Sequence, residues 1–239
     1  MGATRHKLGS RRQPDKTRAD ILRAAMQEFA HEGVAGARTD AIAKTAGVNK
    51  ALLYYYFKDK ETLYGAVLDQ VFGGLRATIR PILESSLTPR QKVLAYAGAH
   101  FDYVAASPMY PRVVQWEMMR SKRAGVTQLR RIAQTYFQPT YLKLAQVLRE
   151  GIAAGEFREV DPMHFVPSMI AVIVFYFSSL PVVRALMPGD PLSAERIRER
   201  RKAVLDFISA ALFAAPREEM GRPIRGKNSG GTAFGEARR

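Results

Sequence analysis

Apolar residues recur along this chain at three- and four-residue spacing, in blocks divided by glycine and proline. That period is the one of amphipathic helices. The first block carries Ile21, Leu22, Ala25 and Phe29 on one face and closes at Gly33. Thr17 with Asp20 three positions on resembles a capping box, which predicts a start near Thr17. Thr39 is the expected cap of a second, short helix with Ile42, Ala43 and Ala46 inward. Gly47 breaks the pattern and Val48 is apolar again. Asn49 is a strong helix cap, and Leu53 and Phe57, four apart, define the inner face of a third helix.

The pattern continues with longer helices. Asp59 caps a fourth, with Leu63, Val67, Leu68 and Val71 inward, and Pro81 kinks or ends it. Thr88-Pro89-Arg90-Gln91 is a helix start with a capping box, leading to Val93, Leu94, Ala97, Phe101 and Val104 and a stop at Ser107. A short helix rich in aromatics and methionine holds Trp116, Met118 and Met119. Another spans about 126–154 with Pro139 inside, where a kink beside a cavity is expected. Asp161-Pro162 opens the next, and residues 165–183 hold no charge. The last begins at Ser193-x-Glu195 with a dense run of charge and ends apolar, through Val204, Leu205, Ile208 and Leu212.

The stretch 39–60 carries the clearest chemistry. Two short helices about a glycine turn, the second exposing an amide, a cation and phenols, form a helix-turn-helix pattern. The outward positions are Asn49, Lys50, Ala51, Leu52, Tyr54 and Tyr55. A recognition helix must bring its first residues to base edges in the major groove, and Ala51 is small enough to permit that. Lys50 can donate to guanine, Leu52 can meet a thymine methyl, and the Tyr54, Tyr55 and Tyr56 hydroxyls can reach phosphates or bases. Thr39 and Lys60, each at a helix start, suit phosphate. Asp40 is read as a favourable helix N-terminal charge and not as a DNA contact. Taken alone, a tyrosine triplet is more often core or interface than a DNA-reading surface.

The order of the whole stretch resembles the TetR family of bacterial transcription regulators. The resemblance lies in Thr39, Ile42-Ala43, Ala46-Gly47-Val48, Leu53-Tyr54, Tyr56-Phe57, Lys60-Glu61 and Leu63, within residues 15–65. It implies an all-α protein of about nine helices, with an N-terminal three-helix DNA-binding domain at 15–75 and its helix-turn-helix at 38–57. It also implies a C-terminal effector-binding and dimerisation domain at 76–215. A homodimer is implied through the last two helices, about 161–187 and 193–214, bound to a palindromic operator on double-stranded DNA. Repression is the usual mode of the family.

Composition sharpens this picture. The chain of 239 residues carries 37 Lys and Arg against 22 Asp and Glu, a net charge of +15, which calls for a polyanionic partner. Residues 1–14 and 216–239 are rich in Arg and Gly and are expected to be disordered basic segments. The basic start has no apolar run behind it, so it does not read as a signal peptide. With no cysteine there are no disulfides or thiolate metal sites, which fits a cytoplasmic setting. The four histidines form no metalloenzyme motif, and neither a phosphate loop nor a nucleophile elbow occurs, so no catalytic site, metal or cofactor is expected. His100 near Asp102 and His164 near Asp161 are the only candidate metal pairs, with a core or surface histidine the simpler reading.

Aromatics and methionines concentrate between residues 96 and 180. They fit core packing, or a cavity for an apolar or aromatic effector with phenols as orienting groups. Candidate lining residues are Phe101, Tyr103, Trp116, Met119 and Tyr136, with Tyr141, Phe165, Met169, Phe175 and Tyr176. The sequence thus predicts a ligand-responsive DNA-binding regulator. Two alternatives remain: a basic protein coating DNA without sequence preference, and a membrane-associated helical protein using the 165–183 run, although no membrane partner is expected.

Overall fold

The computed structural model describes residues 13–107, 109–120 and 126–214. The two expected basic segments fall outside these, except for residues 13 and 14. Among the described residues all extended elements are helices: α1 Pro14–Gly36, α2 Thr39–Ala46, α3 Lys50–Tyr56, α4 Lys60–Glu84, α5 Pro89–Ala106 and α6 Tyr110–Arg120. Then come α7 Val126–Ile132, a π-helical turn Ala133–Phe137, α8 Gln138–Ala153, α9 Pro162–Ser178, α10 Leu180–Leu186 and α11 Ala194–Leu212.

Local chemistry sets most of the boundaries. Asn49 Oδ1 accepts from the Leu52 amide at 2.7 Å, and Asp59 Oδ1 from the Thr62 amide at 2.7 Å. The Thr88–Gln91 capping box is complete in both directions, at 3.3 and 3.1 Å. Gly47 ends α2 with φ +65° and ψ +36°, a left-handed cap that costs glycine nothing.

Several boundaries differ from the sequence reading. α1 starts at Pro14, because proline suits the first position of a helix, so Thr17 lies inside the helix and donates to Gln13 O instead of capping. Arg38 stands at the cap position of α2, and Thr39 is its first helical residue. α4 continues past Pro81 to Glu84. Pro81 and Ala77, whose carbonyl loses its helical donor, both lie on the exposed face, where water can serve that carbonyl. α4 also crosses the boundary expected at residues 75–76, so the N- and C-terminal parts share one helix.

Two of the expected helices are broken, which turns about nine into eleven among the described residues. The first break absorbs Pro139 by widening the preceding turn into a π-helix, with the proline in the first turn of α8. The second bends α10 by 69° from α9 at Ser179, just before Pro181. Among the described residues no single helix is long and apolar enough to cross a membrane.

One core runs through the molecule. Ile21, Phe29, Ile42, Leu53 and Phe57 bury the three N-terminal helices against Leu63 and Val67 of α4. The same core continues through Val93, Phe101, Leu144, Leu148, Ile173 and Ile208. α6 lies between the two parts, packed on α1 and on α9.

Candidate functional site

α3 turns Leu53 fully inward, with Phe57 just beyond it, and presents Asn49, Lys50, Ala51, Tyr54 and Tyr55 to solvent. Leu52, Tyr56 and Lys60 are half-buried. Tyr55 is the most open of the phenols at 81% exposure and stands edge-on to Tyr56. The Tyr54 hydroxyl meets the Thr39 hydroxyl at 3.1 Å, tying the start of α2 to α3. The Lys50 ammonium lies 6.0 Å above the Tyr54 ring. Thr39, Lys50 and Tyr54 are therefore brought together on one surface.

Lys60 behaves differently. Its ammonium donates to Ala35 O and Ala37 O at 3.3 and 3.0 Å, bracing the end of α1. Asp40 is chelated by Arg38, with an N–O distance of 2.7 Å, and this hydrogen-bonded pair holds the Asp40 carboxyl below its usual range. Arg38 went unnoticed in the sequence. Its position beside the expected cap of α2 was the available signal.

α6 makes the joint between the two parts. The Trp116 ring rests on Gly33, where an added Cβ would come within 3.0 Å of the indole, and Trp116 Nε1 donates to Ala30 O at 3.2 Å. Gly33 also has φ +65°, so the kink in α1 and the close approach both call for glycine. Next to it the buried Glu117 carboxylate accepts from Tyr64 OH at 2.8 Å. Burial and that carboxylate push the Tyr64 phenol far up. Arg120 reaches Glu61 at 2.6 Å.

A cavity of about 630 Å³ opens among α4, α5, α6, the π turn, α8 and α9. Its wall is mainly aromatic and aliphatic, with Phe72, Tyr96, Tyr110 and Phe137 prominent. Of the expected aromatics, Tyr136, Tyr141 and Phe175 lie on this wall. The others lie elsewhere. Phe101 packs edge-on against Phe177, Tyr103 OH donates to Val71 O, and Tyr176 OH donates to Pro191 O. Met169 is buried in the core, Phe165 packs at its margin, and Trp116 and Met119 line a separate hollow beside α1. His100 also belongs to the cavity wall and was missed there. Its spacing from Tyr96 and Val104, in phase with the apolar face of α5, was the signal.

Neither histidine pair forms a metal site. His100 is buried while Asp102, two residues on, faces out and pairs with Arg201 at 2.8 Å. Neighbours two apart on a helix point away from each other. His164 lies 3.8 Å from Asp161, both well exposed. Among the described residues no cluster of metal-ligating side chains occurs.

A capped recognition helix with small and donor residues at its start, carried on a helical body with an apolar cavity, defines the class of DNA-binding transcription regulators. Residues 21–67 match the model for bacterial regulatory proteins of the tetR family, and residues 89–208 match the tetracyclin repressor-like C-terminal domain. The chain belongs to the TetR family: it is a DNA-binding regulator of transcription and not an enzyme.

Its relatives include the HTH-type transcriptional repressor SCO4008 of Streptomyces coelicolor, 29% identical over 80% of this chain and 94% of that protein. The repressor KstR2 of Mycolicibacterium smegmatis is 26% identical over 81% of this chain and 90% of its own length. Among solved structures, the ketosteroid transcriptional regulator KstR2 of Mycobacterium tuberculosis superposes with a TM-score of 0.68 at 22% identity, covering 85% of this chain and 98% of that one.

Proposed function

We propose that the chain acts in the cytoplasm as a homodimeric, ligand-responsive repressor that binds a palindromic operator. The observation that carries this is the surface of α3. Leu53 is fully buried and Phe57 nearly so, while Lys50, Ala51 and Tyr54 stand outward behind an Asn49 cap. Lys50 and Tyr54 read bases, with Ala51 allowing close approach and Leu52 offering a methyl contact. Thr39, Tyr55 and Tyr56 hold phosphates, and Lys60 does so from the start of α4 with the N–H that its bonds to Ala35 O and Ala37 O leave. Asn49 acts by capping.

The dimer forms through α9, α10 and α11, on which Val182, Leu186 and Phe207 leave apolar surface uncovered. Such surface on a soluble regulator is well used at a subunit interface. Regulators of this family bind operators as dimers, and two recognition helices match half-sites about one helical turn apart or a multiple of that. The cavity receives the effector. Val114, Gln115 and Met118 of α6 face the cavity while Trp116 of the same helix rests on Gly33, so an occupant that shifts α6 also shifts α1. Regulation follows if the occupant binds the DNA-fit and DNA-unfit arrangements unequally.

Selection from a random duplex library at about 0.15 M salt tests this. Enrichment of a palindrome is expected. Recovery of unenriched DNA would instead favour a coating protein.

A further inference from the structure

Among the described residues, one side chain of the cavity wall, His100, carries a polar atom that is both buried and unpaired. Several polar side chains at the wall are engaged: Arg76 donates to Thr135 O, Gln115 to Ser178 O, Thr140 to Tyr136 O and Tyr136 to Asp69. His100 differs. It is 2% exposed, its Nδ1 faces the Tyr96 hydroxyl at 3.1 Å, and its Nε2 has no partner among the described residues. Leaving a buried polar atom unpaired is costly, so such an atom at a cavity calls for an occupant that pairs with it.

The bond to Tyr96 fixes what that occupant must offer. A neutral imidazole has one donor and one acceptor. If Nδ1 donated to Tyr96, both the phenol hydrogen and the Nε2 lone pair would be unspent in the interior. If the Tyr96 hydroxyl donates to Nδ1, only the Nε2–H is left. The second arrangement strands fewer groups, so Nε2 is a donor. Desolvation lowers the His100 pKa from 6.5 to about 4, so the ring is uncharged near neutral pH. No lysine lines the cavity, and the one arginine there is bonded to a backbone carbonyl.

We propose that the cavity takes an uncharged, largely apolar ligand bearing a carbonyl-type acceptor, and that His100 Nε2–H selects that acceptor. This rests on the cavity being the effector site. An apolar body gains from the aromatic wall, and a single donor orients it. An anion would have only Arg76 to receive it, a guanidinium already holding the Thr135 carbonyl, and taking its charge out of water is costly.

A pair of probes tests the idea on the full chain: 6-propionyl-2-(dimethylamino)naphthalene, an uncharged fluorescent ketone, and its 6-propyl analogue without the oxygen. His100→Phe should shift the ketone-to-propyl affinity ratio about tenfold against the ketone while propyl binding persists. His100→Gln, which keeps an N–H donor, should retain the ratio within about threefold. Ile170→Trp, which fills the cavity, should block both probes. In the wild-type complex the ketone carbonyl stretch should fall below its frequency in cyclohexane, a readout that needs no variant to fold. If the wild type binds neither probe, or Ile170→Trp binds them like the wild type, the cavity reading fails and takes the proposal with it. If Ile170→Trp blocks both but His100→Phe leaves the ratio unchanged, or the carbonyl band is unshifted, the cavity stands and the role of His100 is overturned.

Discussion

α3 has seven residues and buries one of them, Leu53, whereas α5 has eighteen and buries seven, including Tyr96, His100 and Phe101. A helix as short as α3 is not stable alone, and its own burial contributes little. It is held by the Asn49 cap, by Leu53, by Phe57 just beyond its end and by the Thr39–Tyr54 hydroxyl pair. That economy leaves its other side chains free to face a partner. α5 turns Tyr96 and His100 inward, and the unpaired His100 Nε2 is buried. The two regions therefore fail in different ways when altered. Changes near α3 act on DNA, with one anchor carrying the fold, and changes on α5 act on the core and on what the core encloses.

The largest expected effect is at that anchor. Leu53→Ala should cost about 2–5 kcal/mol in urea denaturation and abolish operator binding, because the cavity it leaves lies under the recognition helix. A loss below about 1 kcal/mol would mean that α3 is held by other means.

A similar magnitude is expected from pH at α5. The folded chain keeps His100 neutral down to about pH 4, while the unfolded chain takes up a proton below about 6.5. Between these values the unfolded state binds more protons, so stability present in full above pH 6.5 is lost as pH falls toward 4. The loss should be on the order of 3 kcal/mol, and His100→Gln should remove that part of the slope. Equal slopes in the two proteins would contradict the buried, neutral assignment.

Two lysines sharpen the role of the α3 surface. Lys50→Ala should relax preference at particular operator positions by about 1–3 kcal/mol. Lys60→Ala should weaken all duplexes alike and lower the salt slope by about one. The same loss on every sequence for both variants would show that the roles are wrongly divided. The smallest effect expected is Asn49→Ala, about 1 kcal/mol in stability, read by thermal denaturation with the fold unchanged by circular dichroism.

The same contrast explains what the sequence makes legible. The helix-turn-helix is written in local terms: Asn49 followed by a free amide, glycine at a left-handed turn, Leu53 and Phe57 four apart. Each of these needs only its neighbours, and each lies where the pattern places it. The cavity is a product of six separate segments, and aromatic content does not distinguish a wall from a core. Tyr136 and Phe175 reach the wall while Phe101 and Tyr176 turn to Phe177 and Pro191, a choice made by packing between helices. Pro139 was visible as a disturbance, but widening the turn before it into a π-helix depends on partners from α4, since Arg76 takes the Thr135 carbonyl and Asp69 the Tyr136 hydroxyl. His100 was readable as buried from its phase. That its second nitrogen lacks a partner was not, because it requires knowing every neighbour.

The central claim is that α3 reads sequence, and the most direct measurement is the ratio of affinities for the selected palindrome and for a scrambled duplex of the same length and composition. Titrated by fluorescence anisotropy at about 0.15 M salt, the full chain should prefer the palindrome by about a thousandfold or more. A ratio near one would contradict the account, leaving a basic helical protein that binds DNA by charge alone.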